Sequence, residues 1–242
     1  MNKLTLEKLD EMDFASNEAY KTLRTNILFS GSRIKTICLT SCTQNEGKSA
    51  VSMNLARSFA DNGKKVLFVD ADMRKSVLIG RHRIQNAEMG LSHYLSGQNT
   101  FDECVYETNI DDFYMMPAGQ VPPNPAELLG SDTFAELMEL AREEFDYIII
   151  DTPPLGSVID AAIIAKQVDG AILVIENNKI SYKFAQKVLD QLDRSKCRIL
   201  GVILNKIENH KKGYYGRYYG KYYGKYYGKY YGSYYGSDEE DS

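Results

Sequence analysis

Five short apolar runs, at residues 34–40, 66–69, 147–150, 171–175 and 199–204, constrain this chain more than any other feature. They are apolar on both faces instead of alternating, which is the pattern of a strand covered on each side. Helical stretches separate them, so a mostly parallel sheet flanked by helices on both faces is expected, an α/β fold. Between the first two runs, residues 50–62 carry Val51, Leu55 and Phe59 at four-residue spacing, with Gly63 placed to stop a helix. This is a strand–helix–strand unit. An anionic ligand belongs at its first turn, because strand carboxyl ends and the unpaired N–H groups of a helix start converge there.

That turn reads Ser41-Cys42-Thr43-Gln44-Asn45-Glu46-Gly47-Lys48-Ser49. Phosphate binding needs backbone N–H groups free to wrap oxygens, a lysine for the β and γ phosphates and a hydroxyl for Mg²⁺. Gly47, Lys48 and Ser49 supply them, which makes the fold P-loop NTPase-like. Residues Thr43, Gln44, Asn45, Glu46, Gly47, Lys48, Ser49 and Ala50 are the candidate nucleotide contacts. Cys42 stands at the pattern's first glycine and Asn45 where the loop often has another. Asparagine tolerates positive φ better than most residues, so the chemistry survives the departure.

Two strand ends add carboxylates. Val69-Asp70-Ala71-Asp72-Met73-Arg74 closes one run, and the strand period of two puts Asp70 and Asp72 on the same side. Ile150-Asp151-Thr152-Pro153-Pro154 closes another. Acids also end strands or cap helices for purely structural reasons. Together with Lys48, however, these three form a set at one sheet edge, suited to a metal nucleotide.

The C-terminus differs in kind. From Tyr214 to Tyr235 the chain repeats Tyr-Tyr-Gly-Lys/Arg, holding twelve of the eighteen tyrosines without one aliphatic residue. Such a segment lacks the apolar bulk to offset the entropy of ordering it, so residues 211–242 are expected to be a flexible tail on a domain of residues 1–210. Taken alone, it could equally be an aromatic tail that stacks on bases or self-associates. The net charge of −4 gives no general case for nucleic acid. The tail's six Lys or Arg against four acids leave RNA binding open. Four cysteines in no metal or C-x-x-C spacing suit a reducing compartment, and no run reaches the length of a membrane span.

The spacing of the phosphate loop, Asp70-x-Asp72-x-Arg74 and Asp151-Thr152-Pro153-Pro154, followed by a tyrosine cluster, resembles the bacterial tyrosine kinases of capsule and exopolysaccharide synthesis. The form resembled is the Gram-positive one, with a separate cytosolic kinase. The stretches from Glu18 to Ile27, from Gly90 to Gly97 and from Pro117 to Leu129 are similar to that family too. The resemblance implies an ATP- and Mg²⁺-dependent kinase that phosphorylates a neighbour's tail and its own. Expected acceptors are Tyr214, Tyr215, Tyr218, Tyr219, Tyr222, Tyr223, Tyr226, Tyr227, Tyr230, Tyr231, Tyr234 and Tyr235. By position, Lys48 and the loop backbone bind phosphates, Ser49 with Asp72 and Asp151 holds Mg²⁺, and Arg74 joins the catalytic set. A phenol with a pKa near 10 needs a base, for which Asp70 is preferred and Asp72 is the other candidate. Ser76 replaces a proline common in the family and is assigned no role.

The same resemblance implies a membrane adaptor as activator, a tyrosine phosphatase as a further partner, and a cytoplasmic protein recruited to the inner face of the membrane. The tail's charge count and the face carrying Glu18, Lys21 and Arg24 lead to a further expectation, a ring-shaped homo-oligomer while unphosphorylated, and no specific nucleic acid is expected. Glu18, Lys21 and Arg24 recur every third residue on one helix face, where the family's Glu-x-x-Arg-x-x-Arg oligomerisation motif sits. Lys21 replaces its first arginine and loses the bidentate geometry. A weak solvated pair is the plain alternative. Asn205 falls where the superfamily often reads adenine, or it simply turns the chain. A non-kinase ATPase switch of the partitioning type shares the fold, but Thr43 stands where those proteins have a lysine and they lack a polytyrosine tail.

Overall fold

The structure, a computed structural model, describes residues 1–9 and 11–207. The tail from residue 211, with all twelve candidate acceptor tyrosines, lies outside the described residues. An eight-stranded sheet is formed by β1 (Asn2–Lys3), β2 (Thr36–Ser41), β3 (Val66–Asp70), β4 (Tyr106–Glu107), β5 (Phe113–Met116), β6 (Tyr147–Asp151), β7 (Gly170–Glu176) and β8 (Ile199–Asn205). Their order across it is β1-β4-β5-β3-β6-β2-β7-β8, and every neighbouring pair is parallel except β4 with β5.

The five apolar runs are β2, β3, β6, β7 and β8, in the fold class that the sequence implies. Burial on both faces holds for β2, β3 and β6, all of whose residues are buried except the half-buried Tyr147. It fails for β8, which is the sheet's edge: Val202 and Leu204 there are 49% and 50% exposed. Leu200 and Ile203 of this strand still pack on a core, whereas Val202 and Leu204 are left uncovered, with no second neighbouring strand whose side chains could help cover them.

Nine helices occur among the described residues: α1 (Phe14–Phe29), α2 (Lys48–Ala60), α3 (Leu78–His82), α4 (Leu91–Leu95), α5 (Phe101–Cys104), α6 (Pro125–Leu129), α7 (Asp132–Glu144), α8 (Asp160–Ala165) and α9 (Tyr182–Asp193). Two cores result, one on each sheet face, as the alternation along β6 shows: Ile148 and Ile150 face one and Ile149 the other. The first core takes Phe134 and Leu137 of α7, Ile164 of α8 and Leu192 of α9. The second takes Val51, Leu55 and Phe59 of α2, the positions set by the four-residue spacing, with Leu4 and Leu6 from the segment that follows β1. Phe59 stacks on Tyr147 with ring centroids 4.1 Å apart. Removing such a ring from a core typically costs roughly 3–5 kcal/mol, so α2, which begins at the phosphate loop, is firmly seated.

Candidate active site

β2 ends at Ser41 and α2 begins at Lys48, so the loop between them is held by a central strand and a buried helix. Gly47 caps the helix at φ 85°, and a Cβ there would lie 2.2 Å from the Asn205 amide nitrogen. Only glycine fits. Asn45 adopts φ 65°, the left-handed region that asparagine tolerates. Past β6 the chain presses on the loop from the other side, where a Cβ on Gly156 would come within 2.1 Å of the Cys42 carbonyl.

Side chains complete the cradle. Ser41 donates to the Thr43 carbonyl at 2.8 Å, and the Thr43 N–H donates to Glu46 Oε2 at 2.9 Å. The end of β8 fastens the loop: Asn205 Nδ2 donates to the Glu46 carbonyl at 2.9 Å and Lys206 Nζ to the Asn45 carbonyl at 2.7 Å. Asn205 thus meets the loop backbone. Two polar atoms of the loop, Thr43 Oγ1 and Glu46 Oε1, are buried without a partner, which is the condition of groups awaiting a ligand or water.

A cavity of about 180 Å³ brings Lys48, Ser49, Asp70, Asp72, Arg74 and Asp151 together with loop residues Thr43 to Gly47. Ala50 and Asn205 do not line it. Lys48 Nζ lies 2.7 Å from Asp151 Oδ1 and 3.3 Å from the Ser49 hydroxyl, with Lys48 and Asp151 both buried. Ser52, one turn along α2, also donates to Asp151 Oδ1, at 2.9 Å. Asp151 Oδ2 is buried and has no partner.

Asp70 and Asp151 are paired residues on neighbouring strands. Burial, then the charge of Asp151, pushes the Asp70 carboxyl up to about 7, against the opposing pull of Ser76, Lys48 and the Asp72 N–H. Asp72 enters the same cavity for a different reason than the strand period. β3 stops at Asp70, and a turn follows in which the Asp72 N–H donates to Asp70 Oδ1 at 3.2 Å while Asp72 Oδ1 accepts from Lys75 N at 3.0 Å. Arg74 grips Asp160 of α8 with two hydrogen bonds, 2.7 and 2.9 Å long, so its guanidinium is spent chiefly on a fully buried carboxylate.

The donor set suits Mg²⁺. It comprises hard oxygens, one carboxylate oxygen of Asp151 is orphaned, and Ser49 and Asp72 share the cavity. No group of three His, Cys, Asp or Glu in a ligating arrangement exists among the described residues. Mg²⁺ is commonly held by one or two carboxylates and completed by substrate phosphates and water.

Sequence reasoning missed Ser52, Ser76 and Asp160. An acid set in the apolar stretch Val158-Ile159-Asp160-Ala161-Ala162 was a readable sign of a buried partner. Ser52 carried no sign, and Ser76 was marked only as a departure from the resembled family, with no role assigned. On α1, Lys21 pairs with Glu18 at 2.7 Å on the surface. Arg24 turns inward, donating to the Ser58 carbonyl and, at 3.2 Å, to the Ser58 hydroxyl, and so ties α1 to α2. The four cysteines are free and buried.

A phosphate loop at the end of a central strand, with carboxylates at the end of the adjacent β6 and of β3 beyond it, defines a nucleotide-binding protein of the P-loop class. Residues 34–202 match the family described as an AAA domain. Over 201 residues the chain is 43% identical to the tyrosine-protein kinase CpsD of Streptococcus agalactiae serotype III, covering 83% of this chain and 86% of that one. Tyrosine-protein kinase wzc of Salmonella typhi is 36% identical over 202 residues, covering 81% of this chain and 28% of wzc. Among solved structures, the kinase domain of the Escherichia coli tyrosine kinase ETK is similar, with a TM-score of 0.76 at 32% identity over 82% of this chain and 78% of that one. The chain belongs to the bacterial tyrosine-protein kinases, the family that its motifs resemble. No helix among the described residues is long and apolar enough to cross a membrane.

Proposed function

We propose that this tyrosine kinase transfers the γ-phosphoryl group of ATP to tyrosines of its own C-terminal cluster, between subunits, and thereby regulates capsular or exopolysaccharide synthesis and export. The observation that carries this reading is one cavity holding both Lys48 and a buried Asp70 whose proton affinity is raised to about 7. The loop N–H groups and Lys48 receive the β and γ phosphates, concentrating positive charge where the transferring group gains negative charge. Asp70 accepts the phenol proton. A base acts best when its pKa lies near the working pH, and burial moves this carboxylate there. Ser49, Asp72 and Asp151 would hold Mg²⁺, which when bound neutralises charge on the phosphate oxygens. Arg74, clasped by Asp160, fixes the segment carrying Asp72 against α8.

Transfer between subunits rests on reach. A 22-residue segment spans roughly 25 Å on average and about 70 Å at most, enough to enter a neighbouring site. Mixing an inactive full-length Asp72→Asn chain with an active chain truncated after residue 207 should place phosphotyrosine on the inactive chain. Its absence there, with the full-length active chain still labelled, would show the reaction to be intramolecular.

The proposed partners are a membrane adaptor that activates the kinase at the membrane's inner face and a tyrosine phosphatase that resets it. The share of wzc that this chain leaves uncovered is consistent with further segments acting beside the kinase domain. The unphosphorylated protein is proposed to be a ring with Glu18 and Lys21 at the subunit contact. Arg24, committed to Ser58, would shape that face from behind. Each phosphotyrosine adds about −1.5 to −2 charges, so a few of them reverse the sign of a tail with six basic and four acidic residues. Tails crowded on one ring then repel, and the ring should fall to monomers. Light scattering before and after phosphatase treatment measures this. An unchanged mass in low salt, where repulsion is least screened, would exclude the mechanism.

A further inference from the structure

Asp70 is clamped on both oxygens. Oδ1 accepts the Asp72 N–H at 3.2 Å, and Oδ2 accepts the hydroxyl of Ser76, an exposed residue that turns its polar atom inward. The serine is oriented in its turn. The Leu78 N–H, at the start of α3, approaches Ser76 Oγ at 3.4 Å and leaves the hydroxyl proton directed at the carboxylate. α3 is itself anchored: Leu78 and His82 are buried, His82 Nδ1 lies 2.9 Å from the Lys8 carbonyl, and the Lys8 N–H donates to the His82 carbonyl at 3.1 Å. The neighbouring Asp151 is held on Oδ1 alone, with Oδ2 unpartnered. Two adjacent carboxylates thus differ in freedom, and the difference fits two tasks. A proton acceptor must aim a lone pair at one place, whereas a ligand oxygen must stay open.

We propose that Ser76 is a positioning residue for phosphoryl transfer, its hydroxyl fixing the Asp70 carboxylate in the orientation that receives the acceptor's proton. The proposal rests on the assignment of Asp70 as base. Rotation of a carboxylate about its last torsion is soft, with a broad two-fold profile, and small displacements of a reacting group cost large factors in rate. A proline at this position would stiffen the turn through its ring. Here a hydrogen bond does so.

The test uses the full-length chain with Mg²⁺-ATP and measures phosphate transfer to an inactive full-length acceptor chain. Ser76→Ala should lower kcat about tenfold, leave KM for ATP and the affinity for ADP within about twofold, and leave the melting temperature unchanged. Ser76→Thr, which keeps the hydroxyl, should restore most of the rate. On an Asp70→Asn background, Ser76→Ala should cause no further loss, because the two act as a unit. Wild-type kcat in Ser76→Ala, or a full tenfold loss added to that of Asp70→Asn, would overturn the proposal. A fully active Asp70→Asn variant would instead remove the base assignment itself, and the role of Ser76 with it.

Discussion

Replacing Lys48 by Met should reduce tail phosphotyrosine by about 100-fold or more, the scale on which losing one preorganised charge at a transferring group is felt. The same change should also weaken the fold, which the sequence gives no reason to expect. Lys48 Nζ is 2.7 Å from Asp151 Oδ1, and both side chains are buried. Without the ammonium, Asp151 keeps only the Ser52 hydroxyl at 2.9 Å. Leaving a buried carboxylate unpaired typically costs about 3 kcal/mol. A second substitution, Asp151→Asn, removes that charge and should recover most of the melting temperature without recovering kinase activity. Calorimetry with phosphotyrosine immunoblotting on the single and double variants separates the two effects. A Lys48→Met chain that stays folded and fully phosphorylated would refute the site.

The parallel sheet, the phosphate loop and the acids at two strand ends were legible because each leaves a local mark: a doubly apolar run, a Gly-Lys-Ser after it, an Asp at its close. β1, β4 and β5 were not. Two of them have only two residues, too few to show a period, and β5, Phe113–Met116, lacks β-branched residues. The exposure of β8 was hidden because composition does not tell a central strand from an edge. Within the site, Asp72 was placed in the right cavity through a strand geometry that the chain does not have there. The contacts of Ser52 and Asp160 span 99 and 86 residues, so even where an acid in an apolar stretch marks burial, as at Asp160, its partner is not encoded locally, and Ser76 meets Asp70 through a turn of no recognisable pattern. Arg24 shows the same limit: its spacing marks a helix face, but only packing decides that it turns toward Ser58.

The division of labour between Asp70 and Asp72 should appear as two unlike failures. Asp72→Asn removes a carboxylate that lies outside the strand and has one backbone hydrogen bond to its Oδ1. Its loss should weaken nucleotide affinity and Mg²⁺ dependence together. Asp70→Asn should leave ADP binding near normal while transfer falls by a factor on the order of 100 to 10,000, the usual contribution of a general base. Stability adds an independent sign. Burial holds the Asp70 carboxyl up to about 7, so between its ordinary value of 3.8 and 7 the native protein binds a proton that the unfolded chain has released. Stability contributed by that group therefore falls as pH rises through this window. Asparagine carries no such proton, so the variant should lack that part of the slope and be at least as stable as the parent above pH 7. Thermal melts across pH 4 to 8, beside nucleotide titrations of both variants, test the two halves together. Equal nucleotide affinities in the two variants would refute the assignment of roles, and an Asp70→Asn chain that melts lower than the parent at pH 8 would show that the buried carboxylate is held there by more than its chemistry.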